Sequence, residues 1–372
     1  MSARISQKPL WAVLATALGL SFACTSSSQT KEESESGAVD QSAIPGSFKA
    51  RKVDSHPDER HLTNLRMLSD GADNAEAYFA FGGDKLIFQS NRAPYECDQI
   101  YTMNLDGSDL RMVSSGKGRT TCSYFLPDDR RFLYASTHEG GDDCPPPPDH
   151  SLGYTWPLYS SYDLYVGDGE KLVALTDTEG YDAEATISPL GDRIVFTSMR
   201  DGDLDLYTMN IDGSDVVRLT DRLGYDGGAF FSPDGSKIVW RAHYPEEKSE
   251  IDDYKNLLAQ GLIRPNLLEL YVADADGSNV RQITNLKAAS FGPFFHPSGE
   301  KIIFSTNYPN RGREFDLYMI DLDGSNLERI TYTEGFDGFP MFSPDGKMLV
   351  FGSNRYNSSP RDTNIFLADW VD

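Results

Sequence analysis

The residues that first suggest chemistry are Cys97, Cys122, Cys144 and His138, which stand within one stretch of the chain. Thiolate and imidazole are zinc ligands, and a Cys₃His set is one arrangement they could form. Their spacing is not that of a compact zinc motif. In an exported protein the alternative is a disulfide between one pair of the three, with the third left as a free thiol. His138, His150 and His243 are a second candidate set, because three converging imidazoles can hold a catalytic metal. No Gly-x-Ser-x-Gly elbow, His-Glu-x-x-His pair or phosphate-binding glycine loop occurs in the sequence. The sequence thus spells none of these catalytic motifs.

Those residues have to be positioned by something, and the chain repeats itself. "GAFFSPDGSKIVW" (228–240) reads as two apolar runs around a Ser-Pro-Asp-Gly turn, and "AEATISPLGDRIVF", "FGPFFHPSGEKIIF" and "GFPMFSPDGKMLVF" are further copies. A second turn recurs as "MNLDGSDLRMV", "MNIDGSDVVRL", "ADADGSNVRQI" and "IDLDGSNLERI". The units begin near Ala77, Thr121, Ala183, Gly228, Gly292 and Phe339, at spacings of 44–47 residues except for two near 62 and 64. Four antiparallel strands at this period predict an all-β, six-bladed β-propeller. Runs such as "KIVW" and "KIIF" are apolar on both faces, as a sheet packed between two others requires. The sixth unit lacks its fourth strand, and "LTNLRMLSDGADN" (62–74) supplies the equivalent, so an N-terminal strand is expected to complete the last blade.

The Ser-Pro-Asp-Gly hairpin, the Asp-Leu-Tyr third strand (163–165, 205–207, 316–318) and the fourth strands "VRLT" and "ERIT" resemble the TolB-type, WD40-like propeller over about residues 60–372. The resemblance implies a periplasmic or secreted binding scaffold, in some members a non-catalytic propeller fused to a peptidase. Upstream, Arg4 and Lys8 precede the apolar run "LWAVLATALGLSFA" and then Cys24, a pattern similar to a bacterial lipoprotein signal. Residues 1–24 are therefore expected to be a signal peptide with Cys24 lipidated; an ordinary cleaved signal is the alternative. Residues 25–60 read as a polar tether, and 61–372 as the propeller. The implied location is the bacterial cell envelope, on the outer membrane facing the periplasm or exported to the surface, with contact to the membrane only through the lipid.

The two long spacings place insertions at 138–161 and 243–268, both in loops between second and third strands, hence on one face of the disc. "IDDYKNLLAQGL" within the second has helical spacing. Tyr154, Trp156, Tyr159 and Tyr162 in or beside the first would suit a peptide or sugar platform, or would pack on the neighbouring blade. Six residues before each first turn's Ser position lie Thr120, Asp182, Asp226, Ser290 and Asp337, with Asn74 as the match in blade one. They are expected to form a polar ring at the channel mouth. Either they cap turns, or Asp182, Asp226 and Asp337 hold a Ca²⁺ ion or a basic peptide. The formal net charge of −23 repels phosphate backbones and argues against nucleic acid. The function expected is a monomeric, non-catalytic scaffold binding a protein or peptide on the decorated face. The alternative is an accessory or metal-dependent enzyme acting on polysaccharide or peptide.

Overall fold

The computed structural model describes residues 48–359 and 362–372. Cys24, the signal segment and most of the expected tether lie outside the described residues. Five four-stranded antiparallel sheets and one of five strands form six blades. Their innermost strands are Asp73–Phe79, Thr120–Phe125, Asp182–Ile187, Tyr225–Phe231, Ser290–Phe295 and Asp337–Phe342. Second strands such as Arg193–Ser198 are buried along nearly their whole length, as the two-sided apolar runs require.

The repeated fourth-strand Thr has a defined task. In each blade a hydroxyl at the end of the outer strand accepts a hydrogen bond from a third-strand amide. Leu164 N–H donates to Thr176 (2.9 Å), Leu206 to Thr220 (2.8 Å), Leu270 to Thr284 (2.8 Å) and Leu317 to Thr331 (2.9 Å). Ser114 and Ser69 do the same for Ile100 and Ile365, each at 2.9 Å. Several of these hydroxyls donate onward to the acid that opens the third strand, Thr176 to Asp163 at 2.8 Å and Thr284 to Glu269 at 2.6 Å. The Arg-x-Leu/Ile-Thr and Asp-Leu-Tyr signatures are therefore two halves of one buried polar link. The Asp-Gly turns serve blade-to-blade packing: a Cβ on Gly277 would come within 2.8 Å of the Leu219 carbonyl of the preceding blade.

The ring closes as expected. Leu62–Met67 lies in the fourth position of the sixth blade, pairing antiparallel with Asn364–Trp370 in the register Leu62↔Trp370 and Met67↔Phe366. That Ser69 fills the fourth-strand hydroxyl role in this blade fits the same exchange. The expected tether boundary at residue 60 needs correcting. Arg51–Lys52 adds a fifth strand beside Leu62–Met67, and Glu59 is buried against Arg355. A segment with few apolar side chains still docks when its backbone finds a free edge and its carboxylate a buried cation.

Candidate functional site: the decorated mouth of the channel

Each innermost strand carries a register shift. The residue at the shift has positive φ in all six: Glu76, Cys122, Glu184, Gly228, Gly292 and Phe339. This bulge changes which side chains reach the axis. The expected polar ring is one result, because all six of its members are buried at 0–1% exposure. They are used within the blades and between neighbouring ones. Asn74 accepts from Ser90 (2.9 Å) and Arg92 (2.8 Å). Thr120 donates to the Asp98 carbonyl (2.9 Å) and Ser290 to Thr306 (3.0 Å). Asp182 is held by Arg200 (3.1 Å) and Thr178 (2.7 Å), and Asp226 by Trp240 Nε1–H (2.6 Å) and the Tyr244 hydroxyl. Asp337 takes Arg355 at 2.8 Å. The carboxylates expected to hold a Ca²⁺ ion or a basic peptide, Asp182, Asp226 and Asp337, are instead buried on donors of the fold itself, with Asp226 Oδ2 left without a partner. No cluster of three His, Cys, Asp or Glu side chains that could hold a metal occurs among the described residues.

The bulge residues are what meet around the axis. Glu184 of blade three accepts from Arg241 Nη2 (2.6 Å), the Tyr225 hydroxyl (3.0 Å) and Thr197 (3.0 Å), and Arg241 Nε–H reaches the Tyr225 oxygen at 3.0 Å. Arg241 stands opposite Gly227 on the second strand of blade four. Its guanidinium occupies the space that Gly228 (φ 60) leaves open, where a Cβ would land on Arg241 Nη1, while a Cβ on Gly227 would land on Glu184 Oε2 and the Tyr225 hydroxyl. The Trp156 ring lies 5.3 Å from the guanidinium carbon. Glu76 of blade one is hydrogen-bonded to the Cys122 thiol, and burial pushes its carboxyl up to about 7, with Glu184 and Asp98 adding to the rise. Burial raises the Cys122 thiol too, and Glu76 and Glu184 reinforce that.

Two residues past the bulge, four of the six inner strands carry aromatic rings that meet one another, and the other two carry Thr186 and Met341. Tyr78 meets Tyr124 (5.7 Å) and Phe230 (5.5 Å), and Phe230 meets Phe294 (5.4 Å). The polar cluster is therefore a blind cup floored by aromatic side chains. On blades five and six the rim is different: Phe291, Phe315, Phe336 and Phe339 pack together with centroids 5.2–6.2 Å apart. The last three of these are only partly buried.

The two insertions meet each other. Trp156–Pro157 pairs antiparallel with Leu262–Ile263, and Arg264 binds Asp253 (3.0 Å) and the Leu152 carbonyl (2.9 Å). The expected helix is Lys248–Leu258. Cys97 and Cys144 form a disulfide with Cα atoms 5.9 Å apart, tying the first insertion to blade one; Cys122 is the free thiol. A Cys₃His zinc site is thereby excluded. Of the four aromatics, Tyr154 is 71% exposed, Trp156 roofs Arg241, Tyr159 donates to the Pro146 carbonyl and Tyr162 is buried against Tyr181. They do not make a continuous platform. His138 bonds Ser136 at 2.9 Å and packs on Tyr165, whereas His243 lies in blade four and His150 opens a short turn in the first insertion. Burial lowers the pKa of both His138 and His243.

Sequence reasoning missed Glu76, Glu184 and Arg241. The available signal was the glycine pair Gly227-Gly228 in an inner strand, where a long side chain from the next strand needs room.

The TolB beta propeller domain family matches residues 263–361. No curated protein sequence matches the chain. Among solved structures, a putative TolB from Agrobacterium tumefaciens is 19% identical, with a TM-score of 0.53 over 81% of this chain and 91% of that one. TolB from Acinetobacter baumannii is 17% identical at a TM-score of 0.53, covering 80% of this chain and 63% of that one, so this chain spans less than two thirds of it. A gluconolactonase from Xanthomonas campestris is 13% identical at 0.55, covering 88% and 98%. Proteins named TolB and a gluconolactonase thus share the architecture. Six antiparallel blades closed by an N-terminal strand make the chain a six-bladed β-propeller, within which residues 263–361 match the TolB beta propeller domain family.

Proposed function

We propose that the protein is a non-catalytic scaffold that binds a protein or peptide partner at the decorated mouth of its channel. The observation that carries this reading is the divided rim. Phe315, Phe336 and Phe339 offer apolar anchors on one side, while Glu76, Glu184 and Arg241 line a polar cup on the other. Aromatic side chains and arginine are enriched at the energetic centre of protein interfaces. The TolB-type fold supports the same reading.

The test is capture by cross-linking from the intact cell envelope. Wild type and a Phe315→Ser/Phe336→Ser variant of equal melting temperature are compared. One partner should be recovered by wild type and fall at least about tenfold with the variant, as loss of an aromatic anchor implies. An identical set of captured proteins for both forms rejects the mouth as the binding surface.

We further propose that lipid on Cys24 holds the protein to the membrane, facing the periplasm or the surface. Its support is the signal-like segment, since among the described residues no helix is long and apolar enough to cross a membrane. Two or three acyl chains at about 0.8 kcal/mol per CH₂ give durable anchoring. Cys24→Ala should move the protein from the membrane to the soluble fraction; unchanged detergent partitioning rejects the anchor.

A further inference from the structure

Beneath the helix Lys248–Leu258 lies a pocket of about 230 Å³, separate from the cup but sharing Tyr225 with it. The helix, the strand Leu262–Ile263 and blade four enclose it. Its floor is apolar: Leu257 and Ile263 are buried, and the rings of Tyr225 and Tyr254 form walls. Both tyrosine hydroxyls are already committed, Tyr225 to Glu184 and Tyr254 to Asp203. What these residues present to the pocket is therefore ring surface.

Asn266, Glu250 and Ser249, all exposed, and the half-buried His243 line the same pocket. An amide, a carboxylate, a hydroxyl and an imidazole together offer both donors and acceptors at short range. Adjacent hydroxyls on a saturated ring need that mixture, and the apolar faces of such a ring need the aromatic walls. The volume suits one six-membered sugar ring. Charge narrows the class further. Arg264 is paired with Asp253, and burial lowers the pKa of His243, which favours its neutral form. Glu250 accepts the Glu246 N–H (3.4 Å) and makes no ion pair among the described residues, so its charge disfavours an acidic substituent or a phosphate.

We infer that this pocket holds one pyranose unit without an acidic group, either as a free sugar or as part of a glycan. The inference is independent of the partner proposed for the mouth, because none of Asn266, Glu250 or Ser249 belongs to the phenylalanine rim.

The experiment is ligand-observed NMR and calorimetry on the purified full-length protein. The probes are glucose, galactose, N-acetylglucosamine and galacturonate, with the β-1,4-linked tetramers of glucose and N-acetylglucosamine. At least one neutral sugar should saturate in the millimolar range, with galacturonate at least tenfold weaker. Tighter binding of a tetramer than of its monomer assigns the site to a glycan; equal binding assigns it to the free sugar. Asn266→Ala should weaken the bound sugar at least tenfold at an unchanged melting temperature, and Glu250→Gln should narrow the gap to galacturonate. The inference is overturned if no neutral probe saturates by about 50 mM. It is equally overturned if Asn266→Ala and Glu250→Gln bind as wild type does.

Discussion

Tyr78 and Phe230 meet edge-on with ring centroids 5.5 Å apart, although they belong to the first and fourth blades, which stand opposite each other in a ring of six. A contact across the axis means that the channel is plugged at that depth. The floor of the cup is hence part of the core, and the blades are packed through it as well as side by side.

Phe230→Ala removes the ring that touches both Tyr78 and Phe294. The loss should be about 3–5 kcal/mol of stability, the cost of a Phe-sized cavity that cannot collapse. Denaturant melts of the variant measure it. A change below 1 kcal/mol would mean that the plug does not join the blades.

Gly228→Ala should be costly because the new methyl lands on the Arg241 guanidinium and the backbone is left-handed there. We expect about 2–4 kcal/mol, from overpacking plus the strained φ. In an Arg241→Ala background the steric part disappears, leaving about 1 kcal/mol. A double-mutant cycle should therefore show coupling of at least about 1 kcal/mol. Strict additivity would contradict the placement of Arg241 over the glycine pair.

Asp226 is buried and bonded to two neutral donors, and burial pushes its carboxyl up to about 7. The unfolded chain releases this proton near pH 4, while the folded chain keeps it. Stability from this group is therefore complete below about pH 4 and is lost as pH rises through about 7. Asp226→Asn keeps an oxygen for Trp240 and Tyr244 and carries no charge. It should match wild type near pH 4 and exceed it near pH 8 by on the order of a few kcal/mol. Parallel pH–stability curves for the two forms would refute the assignment.

Arg355 lies between Glu59 and Asp337, all three almost fully buried. Arg355→Ala leaves two buried carboxylates without their cation and should cost about 3–5 kcal/mol. Since Glu59 belongs to the N-terminal segment, limited proteolysis should also begin to cut near residues 50–60 in the variant. Protection of that segment equal to wild type would show that backbone pairing alone holds it.

The Cys97–Cys144 bond closes a sequence separation of 47 residues. Loop-closure entropy for that length is worth about 4 kcal/mol in the chain-entropy view. Cys97→Ala/Cys144→Ala should lower stability by about 2–4 kcal/mol, read from denaturant melts without reductant. Thiol titration of unfolded wild type should find no more reactive groups among these three cysteines than Cys122. An unchanged melt would mean that the paired insertions hold themselves in place.

How much of this was readable beforehand follows from what each feature depends on. The blade count, the closing strand and the side of the disc that carries the insertions were legible, because turns, two-sided apolar runs and period are local properties. The hydroxyl link was visible only as a recurring Thr, since its partner lies one strand away. The ring expected at Asn74, Thr120, Asp182, Asp226, Ser290 and Asp337 is real as a repeated position, and its function as a mouth was misread. A bulge with one left-handed residue per inner strand turned those side chains into the blades and brought Glu76, Cys122 and Glu184 to the axis. Nothing local distinguishes a Glu that tolerates positive φ there from one that does not. Cysteine pairing, the meeting of the two insertions and the reach of Arg241 over Gly228 depend on residues far apart in the chain. Sequence by itself determined the repeat and therefore the ring; which side chains face its axis was decided only by how six slightly unequal sheets pack around one centre.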